Sequence, residues 1–211
     1  MTGTDRPRRE HRRIADMPSL RALTHPTRLT LLEAIGLAGT LTATQASAAT
    51  NESPTACAYH LRMLGRLGFI EEAGGGRGRE RPWRLAQKGI TVAVDEADTA
   101  ALTAAEALGA AFTERLIARI RAYQTSRNRY PEEVRAATGV FQSIVFATPE
   151  EFSQLRERIA ALISPFIERI DPALRPPGGQ PFEIALFSHV FDVPGGGQAP
   201  GADDEKTIPD P

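Results

Sequence analysis

Cysteine is almost missing from this chain of 211 residues, where Cys57 stands alone. One thiol cannot close an intrachain disulfide or build a thiolate metal cluster within one chain. Histidine is scarce as well. His11, His25, His60 and His189 are the full set, and no two stand at the i, i+4 spacing by which a helix presents a paired metal site, so metal sensing is unsupported. No run of about 18 apolar residues occurs, which gives no transmembrane candidate and no expected membrane partner. The start, MTGTDRPRREHRRIADMP, has arginines with no apolar stretch behind them. That is unlike a secretory signal, and a cytosolic location fits best. A phosphate-cradling GxxxxGK run and a nucleophile–base–orienter grouping are also missing. An enzyme is therefore the least favoured class, and neither a catalytic residue nor a cofactor is expected.

A strong excess of one charge is missing too, since the net charge is −1. The distribution is uneven, however. Residues 1–84 carry 13 Lys+Arg against 8 Asp+Glu, and residues 85–211 carry 12 against 18. A basic first half hints at contact with a polyanion, because neutralising phosphates supplies most of non-specific nucleic-acid affinity. With 41% hydrophobic residues, the chain has enough apolar material for one large domain or two small ones.

What is present centres on Ser53–Leu85. Ser53 suits an N-cap and Pro54 a first helical position, so a helix should start sharply there and stop at Gly68. At 3.6 residues per turn, Cys57, Leu61 and Leu64 share one stripe, which marks Cys57 as a small buried hydrophobe. Thr55, Tyr59, Arg62 and Arg66 share roughly the opposite face. Hydroxyl and guanidinium groups on a rod of that width match a DNA major groove, although a solvated surface looks the same. Upstream, LTHPTRLTLLEAIGLAG reads as a helix ended by Gly36 and Gly39, and Thr42–Ala49 as a short helix capped by Thr42. Helix, short turn, helix is the helix-turn-helix arrangement. Downstream, Phe69–Ala73 and Pro82–Leu85 read as a hairpin around a glycine-rich tip, with Arg77, Arg79, Arg81 and Arg84 placed for phosphates or a narrow minor groove. Trp83 reads as the anchor of this wing on the helices. His60 is a packing or phosphate-contacting residue, and His25 sits at a helix start.

The runs LTHPTRLTLLEAI, ATQASAATNESPTACAYHLRMLGRLGFIEE and GRGRERPWRL together resemble the winged helix-turn-helix of ArsR-type bacterial transcriptional regulators, nearest to actinobacterial members with a GRERPW-like wing. The resemblance covers about residues 18–90. It implies a homodimer that sets two recognition helices in successive major grooves of a pseudo-palindromic operator. The DNA-binding set would be Ser53, Thr55, Ala56, Tyr59, His60, Arg62 and Arg66 on the helix, with Arg77, Arg79 and Arg81 on the wing.

The expected fold is mostly α with small β. Residues 1–17 form a flexible basic arm, 18–90 the winged domain, 91–194 a helical dimerisation unit with a small α+β part, and 195–211 a disordered tail. Thr103–Glu106 fits a capping box opening a long helix with Leu108, Phe112, Leu116, Ile120 and Tyr123 on one side, a candidate for dimer packing. FQSIVFAT and PFEIALFSHVFDVP read as strands flanking a helix that opens at Thr148-Pro149 and is kinked or ended by Pro165. Phe141, Phe146, Phe166 and Phe187 admit two readings, a pocket for an unidentified small-molecule effector or plain core and interface, and the second is favoured. Ser188, His189 and Asp192 alternate across a strand and form no triad by proximity. A protein-interaction or scaffold module that reuses a winged helix without touching DNA is the alternative to a DNA reader.

Overall fold

The computed structural model describes residues 9–76, 80–95 and 97–190, with side chains from Arg12 onward. Expectations that fall on the first eight residues, on Arg77 and Arg79, on Asp192 and on the tail lie outside these.

The chain is mostly helical, with two small two-stranded sheets. Strand β1 (Arg9–Ile14) leads to α1 (Met17–Leu23), which Asp16 caps by accepting a hydrogen bond from the Ser19 amide at 2.9 Å. Helix α2 spans Pro26–Ala38. Gly39 ends it with φ +82°, a left-handed conformation suited to glycine. Gly36 does not end it but lies inside, with the side chains of Leu85 and Ile170 packed beside it. Helix α3 (Ala43–Thr50) opens on a capping box between Thr42 and Gln45. It closes on Asn51 at φ 55°, one of the few residue types that accept this geometry. The chain then reverses into α4 (Pro54–Arg66).

After α4, β2 (Ile70–Glu72) pairs antiparallel with β3 (Trp83–Leu85), opposing Glu71 to Arg84 and Glu72 to Trp83. Leu41 adds a bridge through two backbone hydrogen bonds with Trp83, both 2.9 Å. Strand β4 (Gln87–Val92) follows and pairs in parallel with β1. Two expectations are corrected here. Residues 9–14 are a strand and not flexible arm, and residues 87–92 are its partner and not connector. The sequence REHRRI has no apolar alternation to announce a strand. It is held by backbone pairing, by the fully buried Ile14, and by Arg12, whose guanidinium lies over the Phe69 ring and donates to the Leu67 carbonyl.

One core results, built from Leu20 and Leu23 of α1, Leu29, Leu31 and Ile35 of α2, Ala46 of α3, Cys57, Leu61 and Leu64 of α4, and Phe69 and Ile70 of the wing. Helix α5 (Thr99–Ser126) packs on α1 and adds Ala101 and Leu108 to that core. Its cap is Asp98, which accepts from the Ala101 amide at 3.0 Å, so the helix opens ahead of the expected box at Thr103–Glu106. Glu33 on α2 ties the two helices by accepting from Arg115 at 3.0 Å and from Arg119 at 2.7 Å. Burial opposes its charge, but these two guanidinium groups outweigh burial and hold the carboxyl below its usual range.

Beyond α5, a short α6 (Glu132–Ala136) and α7 (Pro149–Ile167) complete the helices. Thr148 and Glu151 form the expected capping box, and Pro165 is accommodated inside the last turn of α7. Among the described residues the expected α+β unit is not formed, since residues 139–147 and 181–190 carry no strand. The turns after α7 dock back on the first domain. Arg175 donates to the Leu37 carbonyl at 2.8 Å and the Gly36 carbonyl at 3.0 Å, capping α2, and Pro172 lies where a side chain on Gly39 would be. No helix among the described residues is long and apolar enough to cross a membrane.

Candidate nucleic-acid interface

Helix α4 begins where its chemistry dictates. Ser53 Oγ accepts from the Ala56 amide at 3.2 Å, and Pro54 takes a first-turn position whose amide would have no helical partner. Cys57, Leu61 and Leu64 are fully buried, as the stripe required. Cys57 also meets Thr50, with Oγ1 and Sγ 3.2 Å apart, so the thiol helps hold α3 against the first turn of α4. Thr50 in turn accepts from the Glu52 amide at 3.3 Å, which fixes the turn between the two helices.

The opposite face of α4 is open. Thr55, Arg62 and Arg66 are exposed, Tyr59 is 49% exposed, and Ala56 is half-buried. Arg62 makes no hydrogen bond or ion pair with any described residue. Arg66 has only a weak contact to Met63 Sδ at 3.9 Å. A long cleft of about 1110 Å³ runs between this face, the start of α3 and the wing, lined by Thr42, Thr44, Arg62, Arg66, Arg81 and Trp83 among others.

Trp83 anchors the wing as expected. It packs so closely on α4 that a β-carbon on Gly65 would lie 2.6 Å from its ring. The wing arginines are less free than the sequence suggests. Arg81 pairs with Glu72 and Arg84 with Glu71, each at 2.9 Å across the hairpin. Glu71, Glu72 and Glu80 also line the cleft, so its wing side is mixed in charge and its helix side basic. The register that places Glu71 opposite Arg84 is what couples these charges, and reading the two strand segments against each other would have revealed it.

His60 turns away from the open face toward α2. Its ring lies 4.6 Å from that of His25, centre to centre, and 5.3 Å from that of Tyr59. The Nδ1 atoms of both histidines and Nε of Arg28 are buried without hydrogen-bond partners. Burial, then the neighbouring His25 and Arg28, push the His60 imidazole below its usual pKa, with Glu52 pulling the other way. This cluster escaped sequence reasoning because His25 and Arg28 belong to another helix, far from His60 in the chain. Among the described residues, no three His, Cys, Asp or Glu side chains come together as a metal site.

The four phenylalanines of the second half do not meet in a pocket. Phe141 and Phe146 are 93% and 96% exposed, and Phe166 and Phe187 are exposed as well. They cannot line an effector site in this arrangement, because the strands that would have brought them together are not formed. A scan against protein-family models finds none that matches the chain, and a search of curated proteins finds no match either.

Proposed function

We propose that this chain is a sequence-specific, double-stranded-DNA-binding transcriptional regulator of ArsR-like type, working as a homodimer on a pseudo-palindromic operator. The observation that carries the reading is the outward face of α4, where Arg62 has no partner among the described residues and sits between Tyr59 and Arg66 on a helix braced from behind by α3. A guanidinium costs little to place in solvent. Left unpaired on the exposed face of a helix whose other face is locked in the core, it is available for the O6 and N7 atoms of guanine or for a phosphate. In this reading Thr55, Ala56 and Tyr59 face base edges with Arg62, while Ser53 and Arg66 flank them at the backbone. His60 supports the helix from inside and touches no DNA. No catalytic step, cofactor or membrane enters it.

Arg62→Ala tests the role. On duplexes that the wild type selects from a random pool, the variant should lose roughly 1–3 kcal/mol of affinity, and less on unselected duplex, if Arg62 reads a base. Equal loss on both would make it a phosphate contact. Unchanged binding on both would remove Arg62 from the interface.

A second reading is favoured by the pairing of Arg81 with Glu72 and Arg84 with Glu71, which leaves the wing side of the cleft partly neutralised. In it, the winged helix is a protein-interaction module without DNA affinity. The two separate on salt, because phosphate-dominated binding weakens steeply as salt rises, and a chain without duplex affinity at low salt would leave only the module.

A further inference from the structure

We infer that His25 and His60 are positioning residues for Tyr59, a row of three rings that fixes the one aromatic side chain on the open face of α4 and so sets base preference at the position it meets. This deepens the proposed function and, for its DNA part, rests on that reading. The fixing of Tyr59 does not.

The row starts at a constrained point. His25 stands directly before Pro26, whose ring restricts the preceding residue to extended backbone, and His25 sits there at φ −82° and ψ 120°. It is the N-cap of α2, yet its imidazole makes no capping hydrogen bond. Its ring lies instead against that of His60, 4.6 Å between centres and tilted by 49°, with Nδ1 buried and unpartnered. The first turn of α2 is fixed as well, because Arg28 donates to the Ala22 carbonyl of α1 at 3.0 Å.

His60 carries the row to the surface. Tyr59 meets it edge to face, 5.3 Å between centres and at 73°. Adjacent positions on a helix point about 100° apart, so neighbouring side chains do not face each other by default. These two rings meet because Tyr59 leans along the helix toward His60, and that lean selects its rotamer. Tyr59 is still 49% exposed, and its hydroxyl has no hydrogen-bond partner among the described residues. With no hydrogen bond to hold it, the side chain depends on packing, which the His60 ring supplies. An aromatic pair in this geometry favours its arrangement by roughly twofold to tenfold. A side chain ordered before the duplex arrives loses less freedom on binding and is less able to swing from one base edge to another.

The imidazole nitrogens are not what this role uses. His60 Nδ1 is unpartnered, and burial, with His25 and Arg28 beside it, holds its pKa below 6.5, so the ring is neutral at about pH 7.5. A flat ring is required, and phenylalanine also supplies one.

The test has two arms, both on the full chain. Without DNA, nuclear magnetic resonance of the isotope-labelled protein reads the Tyr59 side chain. The wild type and His60→Phe should show one χ1 rotamer and close contacts between rings 59 and 60, whereas His60→Ala should show averaged rotamers. His25→Ala, which leaves α4 itself unaltered, should loosen Tyr59 in the same direction, and circular dichroism checks that each variant is folded. With DNA, duplexes are selected from a random pool, and Tyr59→Ala identifies the base position at which preference depends on that side chain. There His60→Ala and His25→Ala should reduce the preference by roughly twofold to tenfold, His60→Phe should keep it, and the other positions should be unchanged. An averaged Tyr59 in the wild type would overturn the proposal, and so would a fixed Tyr59 in His60→Ala. A uniform loss over all positions would also overturn it, by reducing the histidines to ordinary packing. A wild type that fixes Tyr59 but selects no motif would overturn the duplex reading, and with it the base preference claimed for the row.

Discussion

Gly65 shows how a single residue positions the wing against α4. It lies in the last turn of α4 with the Trp83 ring where its side chain would be, so the wing can approach the helix only because nothing is there. Gly65→Ala gains helix propensity of about 1 kcal/mol but forces the ring outward, at an overpacking cost of roughly 1–3 kcal/mol. The expected net result is a loss of about 1 kcal/mol and a displaced wing. Trp83 is the only tryptophan in the chain, so its fluorescence reports the wing directly. Emission should shift to the red and the urea midpoint fall, whereas unchanged emission would show that the ring does not depend on this gap. At this scale much was legible. The burial of Cys57, Leu61 and Leu64 followed from helical period, and the caps at Ser53, Thr42 and Thr148 from side-chain chemistry. The state of the wing arginines was not, because whether Arg81 is free depends on Glu72 opposite it, and strand register is a property of two segments together.

The junction of α2 with α4 carries a consequence for pH. His60 is faced by His25 and Arg28 from α2, by Glu52 from the turn before α4, and by Tyr59 on its own helix. Its pKa is lowered from the ordinary 6.5, with burial the largest cause. Below pH 6.5 the unfolded chain takes up a proton that the folded chain refuses. Stability is therefore full above that value, falls as pH drops toward the lowered pKa, and levels off beneath it. Glu33 acts in a separate window, since its lowered pKa removes stability only as pH falls below its ordinary 4.5. Urea midpoints measured between about pH 7.5 and about pH 5 should decline, and His60→Gln should flatten that decline while leaving the Glu33 limb at lower pH intact. An identical slope in wild type and variant would contradict this arrangement. Elements differ in how far the sequence announces them. Helices with caps and a 3.6-residue period were legible. Strand β1 was hidden by its polar sequence, and the strands expected at FQSIVFAT and PFEIALFSHV do not form because β propensity takes effect only where a partner strand is present.

Across the whole molecule, a compact first domain and a second half that folds back on it are joined at specific points. Arg175 caps α2, Lys88 pairs with Glu168, and Arg115 and Arg119 grip Glu33. These contacts tie the second half to α2 and to the strand that pairs with β1. The mostly helical fold with a small wing was legible because it rests on local pattern. The α+β unit was not, because its strands need partners that this single chain does not supply. The proposal that α4 reads a duplex in a symmetric pair is tested most directly by selecting bound fragments from a random duplex pool with the protein and sequencing them. The expected result is an inverted repeat whose half-sites lie one helical turn apart, about 10–10.5 bp, or a multiple of it, with binding that weakens as salt rises. A pool that stays random after selection at low salt would contradict it.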